Sequence, residues 1–377
     1  MNVFLIMYIS IYLLMHAYVF YHTYRSFQYS KKIIAYTALF SLFMVLSPII
    51  VRFAERNGFE TGPRLLAYSG YTWMGVLFLF VAVAGFYDVF AIGKWCLLTI
   101  RKRPAAMTPS YRRGRFLTQM VIVLAVYCYG LYEANQIRTI NITISSPKIS
   151  QGIGKLRVAQ ISDVHLGLIV RESRLEKILA KVQEAEPDLI VSTGDLVDGQ
   201  LNNLTELGKM LEQVNPPFGK IAVTGNHEFY AGLPDSLDFT SKAGFVILRN
   251  EAINVNGISF VGVDDQVSER FGEKSEEKEF DLLRRQRRSM FTVLLKHRPV
   301  VDQKSVGLFD IQLSGHTHKG QIFPFNFFTW YSFRYPNGMN MLEYGYLYIS
   351  NGTGTWGPPV RFLAPPEVTI IDFVHGV

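Results

Sequence analysis

Four stretches of this chain, residues 1–24, 33–51, 65–87 and 116–132, contain no Asp, Glu, Lys or Arg. A hydrocarbon layer about 30 Å thick needs roughly 20 apolar residues in helical form to cross it, and each stretch fits. Uncharged runs of that length are hard to accommodate as buried helices of a soluble core. A cleaved signal peptide would account for the first run alone, which lacks a basic start and a small-residue cleavage site. That run ends in HAYVFYHTYR, and aromatic rings favour the headgroup level of a bilayer. The pattern predicts a transmembrane region over residues 1–136, with four helices at approximately 3–22, 33–51, 65–90 and 116–135.

Charge separates the two halves. Residues 1–136 hold 13 Lys and Arg against 4 Asp and Glu, whereas 137–377 hold 25 against 27. The basic balance of the whole chain is therefore a topology signal, and no basic, aromatic-interleaved motif points to nucleic acid as a partner. The segment from Gly93 to Arg115 carries seven basic residues, while 52–64 carries three, offset by Glu55 and Glu60. Short basic loops stay in the cytoplasm. With 93–115 inside, the N-terminus lies outside, and everything after about Ile140 emerges on the outer face of the plasma or inner membrane. Asp88 stands near the inner end of its span, within reach of Lys94, and an interfacial ion pair is the simple expectation. Cys96 and Cys128 are the only cysteines. The second half thus has no disulfide and no thiolate, so any metal there is held by His, Asp, Asn or Glu.

That half, residues 137–377, reads as one α/β domain. Strand-like apolar runs end in Gly or polar residues: LRVAQISDVHLG, DLIVSTGDLVDG, KIAVTGNHEFY, ISFVGVDD, FTVLLKHRP, DIQLSGHTHKG and LYISNGTG. Between the first two, Leu175, Ile178, Leu179 and Val182 fall at helical spacing, with Pro187 just beyond. LTELGKMLEQVNPP repeats the arrangement before the third. Chemistry in open α/β sheets gathers at the carboxyl ends of strands. Here those ends carry Asp163 and His165, then Asp195, then Asn226 and His227, then His297, then His316 and His318. Each fragment alone is weak, because Asp-x-His and Gly-Asp are common turn sequences. Five in order, all at strand ends, are specific.

The series DVH, GD, GNHE, KH and GHTH resembles the calcineurin-like metallophosphoesterase superfamily over roughly residues 155–375. GHTHKGQI and NGTGTWGPPVRFLAPPE are similar to a bacterial branch with membrane-attached and exported phosphodiesterases. Lys319 stands where that branch more often has a second glycine, and Arg298 follows the histidine where other polar residues are common. The resemblance implies a layered sandwich of two mixed β-sheets flanked by helices, and two divalent cations. By the same resemblance Asp195 is the carboxylate between them. Asp163, His165 and His318 complete one site, Asn226, His297 and His316 the other, and His227 protonates or stabilises the leaving oxygen.

Such a pair of ions, about 3.5 to 4 Å apart, clamps the attacking and leaving oxygens of a phosphoryl displacement and acidifies a bound water. Nitrogen and oxygen ligands suit manganese, iron or zinc; magnesium disfavours a histidine-rich site. If extended backbone continues past the strand, His316 and His318, two apart, point to one side, and Gly315 lets the backbone approach closely. Glu228 reads as an orienting or capping group in preference to a ligand. Asp264 and Asp265 either cap a turn or touch substrate. QIFPFNFFTWYSFRYP packs into the core or forms an apolar lip beside the site. The cluster RRQRR at 284–288 is a solvated helix face or a headgroup contact.

The expected function is a membrane-anchored phosphodiesterase or phosphatase acting outside the cytoplasm on a lipid-linked or cell-envelope phosphoester. Its expected partners are the bilayer and that substrate. One alternative keeps the chemistry and reverses the face, giving a cytoplasmic pyrophosphatase of a nucleotide-sugar lipid precursor. Another is a metal-binding scaffold or sensor without activity, against which the complete ligand set argues.

Overall fold

The structure is a computed structural model that describes residues 2–101, 109–199, 201, 203–273 and 278–376. The chain divides into two compact units, Met1–Tyr132 with Gly357–Val360, and Glu133–Trp356 with Arg361–Val377.

The first unit contains α1 (Asn2–Phe27), α2 (Lys31–Arg56), α3 (Thr61–Ile100) and most of α4 (Pro109–Ala134). All four are long and apolar enough to cross a membrane. Tyr12, Val45 and Leu77 pack in the interior, and Trp73 Nε1 donates to His16 Nε2 at 2.9 Å. Leu14, Tyr36, Phe53 and Phe86 face outward and are exposed, the arrangement expected of candidate membrane spans. Two expectations change here. Residues 93–100 continue α3 and 109–115 begin α4, so the basic segment is largely helical, and 102–108 lie outside the described residues. Asp88 pairs with Arg115 of α4, and also meets Tyr18 at 2.5 Å and His22 at 3.0 Å. Six residues on along an uninterrupted helix, Lys94 projects from another face.

The second unit is two six-stranded mixed sheets. The first contains β1 (Arg138–Ser146), β2 (Lys155–Ile161), β3 (Leu189–Ser192), β4 (Lys220–Ala222) and β5 (Phe245–Ile247). The second contains β6 (Glu251–Val255), β7 (Ile258–Gly262), β8 (Thr292–Leu295), β9 (Ile311–Ser314), β10 (Gly338–Met341) and β11 (Tyr346–Ile349), and β12 (Glu367–His375) returns to the first. The orders are β1-β12-β2-β3-β4-β5 and β10-β11-β9-β8-β7-β6. The edge strand β1 has β12 as its neighbour, in parallel register from Arg138 opposite Glu367 to Ser146 opposite His375. Strands β2 to β5 run parallel to one another, as do β7, β8, β9 and β11.

The two sheets pack face to face. Val158, Val191 and Ile221 from one meet Phe260, Leu295 and Leu313 from the other. Continuous apolar strands such as LIVS and TVLL form because both faces of these parallel strands are covered. Helix α5 (Glu172–Glu184) buries the stripe Leu175, Ile178, Leu179 and Val182 on the outer face of the first sheet. The short helices α6 (Thr205–Glu212), α7 (Asn226–Ala231) and α8 (Leu233–Lys242) follow between strands. On the outer face of the second sheet, Leu282 and Leu283 of α9 (Glu279–Arg284) pack on Val261 and Leu294. Arg284, Arg287 and Arg288 beyond them are exposed. Each buried aliphatic side chain contributes roughly 1.5–3 kcal/mol of transfer free energy. The result is the layered sandwich of two mixed sheets flanked by helices. The last helix, α10 (Asn326–Phe333), buries no side chain, so the aromatic stretch does not pack into a core.

Candidate metal centre

Five parallel strands bring the polar residues together, because each ends just before one or two of them. β2 ends at Ile161 before Asp163 and His165, β3 at Ser192 before Asp195, and β4 at Ala222 before Asn226 and His227. From the second sheet β8 ends before His297, and β9 before His316 and His318.

The backbone there is unusual. Asp163, His165, Asp195, His316 and His318 hold φ of 52°, 55°, 53°, 69° and 47°. Left-handed φ at non-glycine residues costs of the order of 1 kcal/mol or more each and clusters at functional sites. The extended path expected for His316 and His318 is therefore incorrect. β9 stops at Ser314, and two left-handed residues inside a tight turn carry the histidines to different neighbours. The turn is held down by the His316 N–H, which donates to Asp163 Oδ1 at 2.9 Å and Oδ2 at 3.0 Å. A side chain at Gly315 would collide there, since a Cβ would sit 2.2 Å from Asp163 Oδ2.

The side chains converge in overlapping groups, Asp163 with His165 and His318, and Asp195 with His297 and His316. Within each, one donor atom per residue lies within 4.8 Å of the others. In the first, His165 Nε2 stands 3.0 Å from His318 Nε2, and His318 Nε2 is 3.6 Å from Asp163 Oδ1. In the second, His297 Nε2 is 3.2 Å from Asp195 Oδ2 and 3.1 Å from His316 Nδ1. Asp195 Oδ2 lies 3.8 Å from His165 Nε2, which puts this carboxylate between the groups. A third combination, His165 with Asp195 and His227, overlaps both. Asn226 is buried beside them, its Oδ1 taking a 3.3 Å hydrogen bond from Arg298 Nη2.

The donor set fits divalent cations. Asp163 and Asp195 are buried at 0% and 2% exposure, and among the described residues neither carboxylate is paired with Lys or Arg. Buried carboxylates require compensating positive charge. Burial raises the Asp163 pKa. Burial also opposes the Asp195 charge, but His297 and His227 beside it hold its carboxyl well below the usual carboxylate range. In turn burial disfavours charge on His297, and Asp195 overrides this and pushes it to about 10. His316 and His318 are driven far down by burial, with His297 acting on the former and Arg361 on the latter. Neutral imidazoles of this kind are metal donors.

His227 and Glu228 have distinct surroundings. His227 Nδ1 lies 2.9 Å from Asp198 O and 3.0 Å from Asp198 Oδ1, which leaves Nε2 as its working atom. Burial lowers the His227 pKa, but the charge of Asp195 and the hydrogen bond to Asp198 raise it to about 9. Asp198 was not among the expected residues. Burial opposes its charge, while His165 and His227 hold its carboxyl far below the usual range. Its signal in the sequence is VDG, three positions on from GD, which looks like any turn. Glu228 is no ligand. Its carboxylate accepts the N–H groups of Gly225, Leu196, Asp195 and Val197, fixing the backbone that carries Asp195.

Asp265 caps the turn at Val267 and holds Arg298 through Nε at 2.7 Å. Asp264 is taken up by Thr224 and Arg249. Both serve structure. Arg361, fully buried, donates to the carbonyls of His318, Asn351 and Gly354 and faces His318 Nδ1 at 2.9 Å. It ties the loop after β11 to the metal cluster.

Residues 156–320 match the calcineurin-like phosphoesterase family. An uncharacterised metallophosphoesterase of Aquifex aeolicus is 39% identical over 67% of this chain and 97% of its own length. A second relative, from Campylobacter jejuni, is 32% identical over 67% of this chain and 68% of its own. A transmembrane protein with a metallophosphoesterase domain from Danio rerio is 28% identical, covering 83% of this chain and 74% of that protein. With its paired His/Asp clusters at the strand ends of two sheets, the chain belongs to the calcineurin-like phosphoesterase family.

Proposed function

We propose that the protein is a membrane-anchored, dinuclear phosphoesterase that hydrolyses a phosphodiester or phosphomonoester of a lipid-linked or cell-envelope substrate, with its catalytic unit outside the cytoplasm. The observation that carries the chemistry is the position of Asp195 between two His/Asp groups. Asp163, His165 and His318 would hold one ion, and Asn226, His297 and His316 the other. Manganese, iron or zinc suits these donors. Bound there, the ions supply an acidified water and electrostatic stabilisation of the displaced phosphoryl group.

The chain's own residues do the rest. His227 Nε2, its ring fixed through Nδ1 by Asp198, delivers a proton to the leaving oxygen. Glu228 holds Asp195 in place, and Asp265 aims Arg298 beside Asn226, where a guanidinium can meet a phosphate oxygen. Anchoring is supported by the four candidate spans and by the transmembrane relative. The outer location rests on the basic residues at the junction of α3 and α4.

The test uses full-length protein in detergent and bis(p-nitrophenyl) phosphate with added manganese. The expected result is hydrolysis that chelation abolishes and that Asp195→Asn reduces by at least 100-fold. Equal rates for variant and wild type would remove the enzymatic reading and favour a scaffold. Protease digestion of intact cells tests the face. Protection of residues 140–376, while a periplasmic control is cut, would place the unit inside.

A further inference from the structure

Helix α10 leaves every one of its side chains at least partly exposed. Phe327, Phe328, Trp330 and Tyr331 are 60%, 64%, 58% and 83% exposed. Phe323 and Phe325 before the helix are exposed too and extend the patch, their ring centroids 5.6 Å from Phe327 and 5.5 Å from Phe328 respectively. Asn326, Thr329 and Ser332 are the helix's polar residues, and the other five are aromatic; a water-facing surface rarely leaves such a patch uncovered.

We propose that α10 is an interfacial docking helix whose occupant is the lipid surface, so that a phosphoester with its organic moiety in the bilayer reaches the metal centre from the membrane. This deepens the lipid-linked reading above and rests on it. Three observations select lipid as the occupant. First, the chain carries four candidate spans, and only residues 135–137 separate α4 from β1. That is at most about 14 Å of extended chain, so β1 is tethered within that length of the end of the fourth candidate span.

Second, the base of α10 is tied to a segment that adjoins the membrane unit in sequence. Ile322 bridges Phe362, and Phe323 N donates to Phe362 O at 3.0 Å. Two residues before Phe362 the chain leaves Gly357–Val360, which belong to the membrane unit. Third, the helix has interfacial composition. Trp330 and Tyr331 favour the headgroup level. No Asp or Glu occurs from Gln321 to Leu342, and Lys319 and Arg334 flank the aromatic residues, which suits phosphate headgroups. The last turn of α10 reaches the site itself, where the Phe333 ring centroid lies 5.4 Å from that of His316.

The test reconstitutes the full-length protein in vesicles of phosphatidylcholine and phosphatidylglycerol. Bromine-labelled lipids should quench the part of the fluorescence that Trp330→Phe removes. In the same vesicles, Phe328→Asp with Trp330→Asp should lower hydrolysis of embedded hexadecyl p-nitrophenyl phosphate at least 10-fold, and leave hydrolysis of water-soluble bis(p-nitrophenyl) phosphate unchanged. An unquenched Trp330, or equal loss on both esters, overturns the proposal. So does an unquenched Trp330 in a dimer that the aspartate variant dissociates, which assigns the helix to a second copy. Quenching of Trp330 in a protein that hydrolyses neither ester supports docking while the hydrolase reading fails.

Discussion

Glu228→Gln isolates what holds the bridging carboxylate in place. Glu228 is the third residue of α7, and it reaches back to the N–H of Gly225 at 2.6 Å in the manner of a capping box. The same carboxylate accepts Leu196 N–H at 2.8 Å, Asp195 N–H at 3.1 Å and Val197 N–H at 3.3 Å. Glutamine keeps the volume and one acceptor oxygen, so two of the four donors lose their partner. Each buried donor left unsatisfied costs about 1–3 kcal/mol, which makes roughly 2–6 kcal/mol for the pair. Burial, and after it the Asp195 charge, push the Glu228 pKa upward. Removing the charge returns part of that penalty, so the expected loss is about 2–4 kcal/mol. Glu228→Ala strands all four donors and should not fold, given total stabilities of about 5–15 kcal/mol. Chemical denaturation of the catalytic unit, read by tryptophan fluorescence, measures the first number, and metal content after desalting measures the consequence for Asp195. A Glu228→Gln protein within about 0.5 kcal/mol of wild type and with full metal content would refute the reasoning, since surface substitutions alone stay in that range.

Asp198→Asn should lower turnover roughly 10- to 100-fold with little change in metal content, because it loosens His227 without removing a ligand; steady-state kinetics beside metal analysis separates the two effects. Gly315→Ala places a Cβ 1.9 Å from Ser162 Oγ and 2.2 Å from Asp163 Oδ2. Overpacking of this kind costs about 1–3 kcal/mol, and the measurable result is loss of the ion held by Asp163 before any loss of secondary structure. Asp372 on β12 is bound by Arg157 through Oδ1 and Oδ2 at 2.8 and 2.9 Å, and those hydrogen bonds hold its pKa below the ordinary value. A depressed carboxylate contributes stability above its unfolded pKa of about 3.9 and loses it as pH falls through the folded value. Asp372→Asn should cost at most about 1 kcal/mol at pH 7 and flatten that part of the acid unfolding curve.

The cluster was legible in the sequence because each donor follows a buried apolar strand, so DVH, GD, GNHE, KH and GHTH mark the same rim of two sheets. What joins them was not. The left-handed turn that carries His316 and His318 is held by the Asp163 carboxylate, which accepts from the His316 N–H across 153 positions. Asp198 gains its meaning only where the loop after β3 passes His227, 29 positions later. The aromatic stretch of α10 shows no amphipathic period, so pattern could not distinguish core from surface. The four candidate spans were visible as uncharged runs, yet α3 runs on to Ile100, since VFAIGKWCLLTI beyond Asp88 stays mostly apolar around the single charge of Lys94.

Because the neighbour of β1 in its sheet is β12, the strand that follows the apolar helices must wait for one that begins more than 200 residues later. As the ribosome proceeds, Arg138–Ser146 stays without its sheet neighbour until Glu367–His375 has emerged and threads in between β1 and β2. A product truncated before Glu367 would leave β1 and β2 with open strand edges, a hazard for aggregation and a mark for proteases.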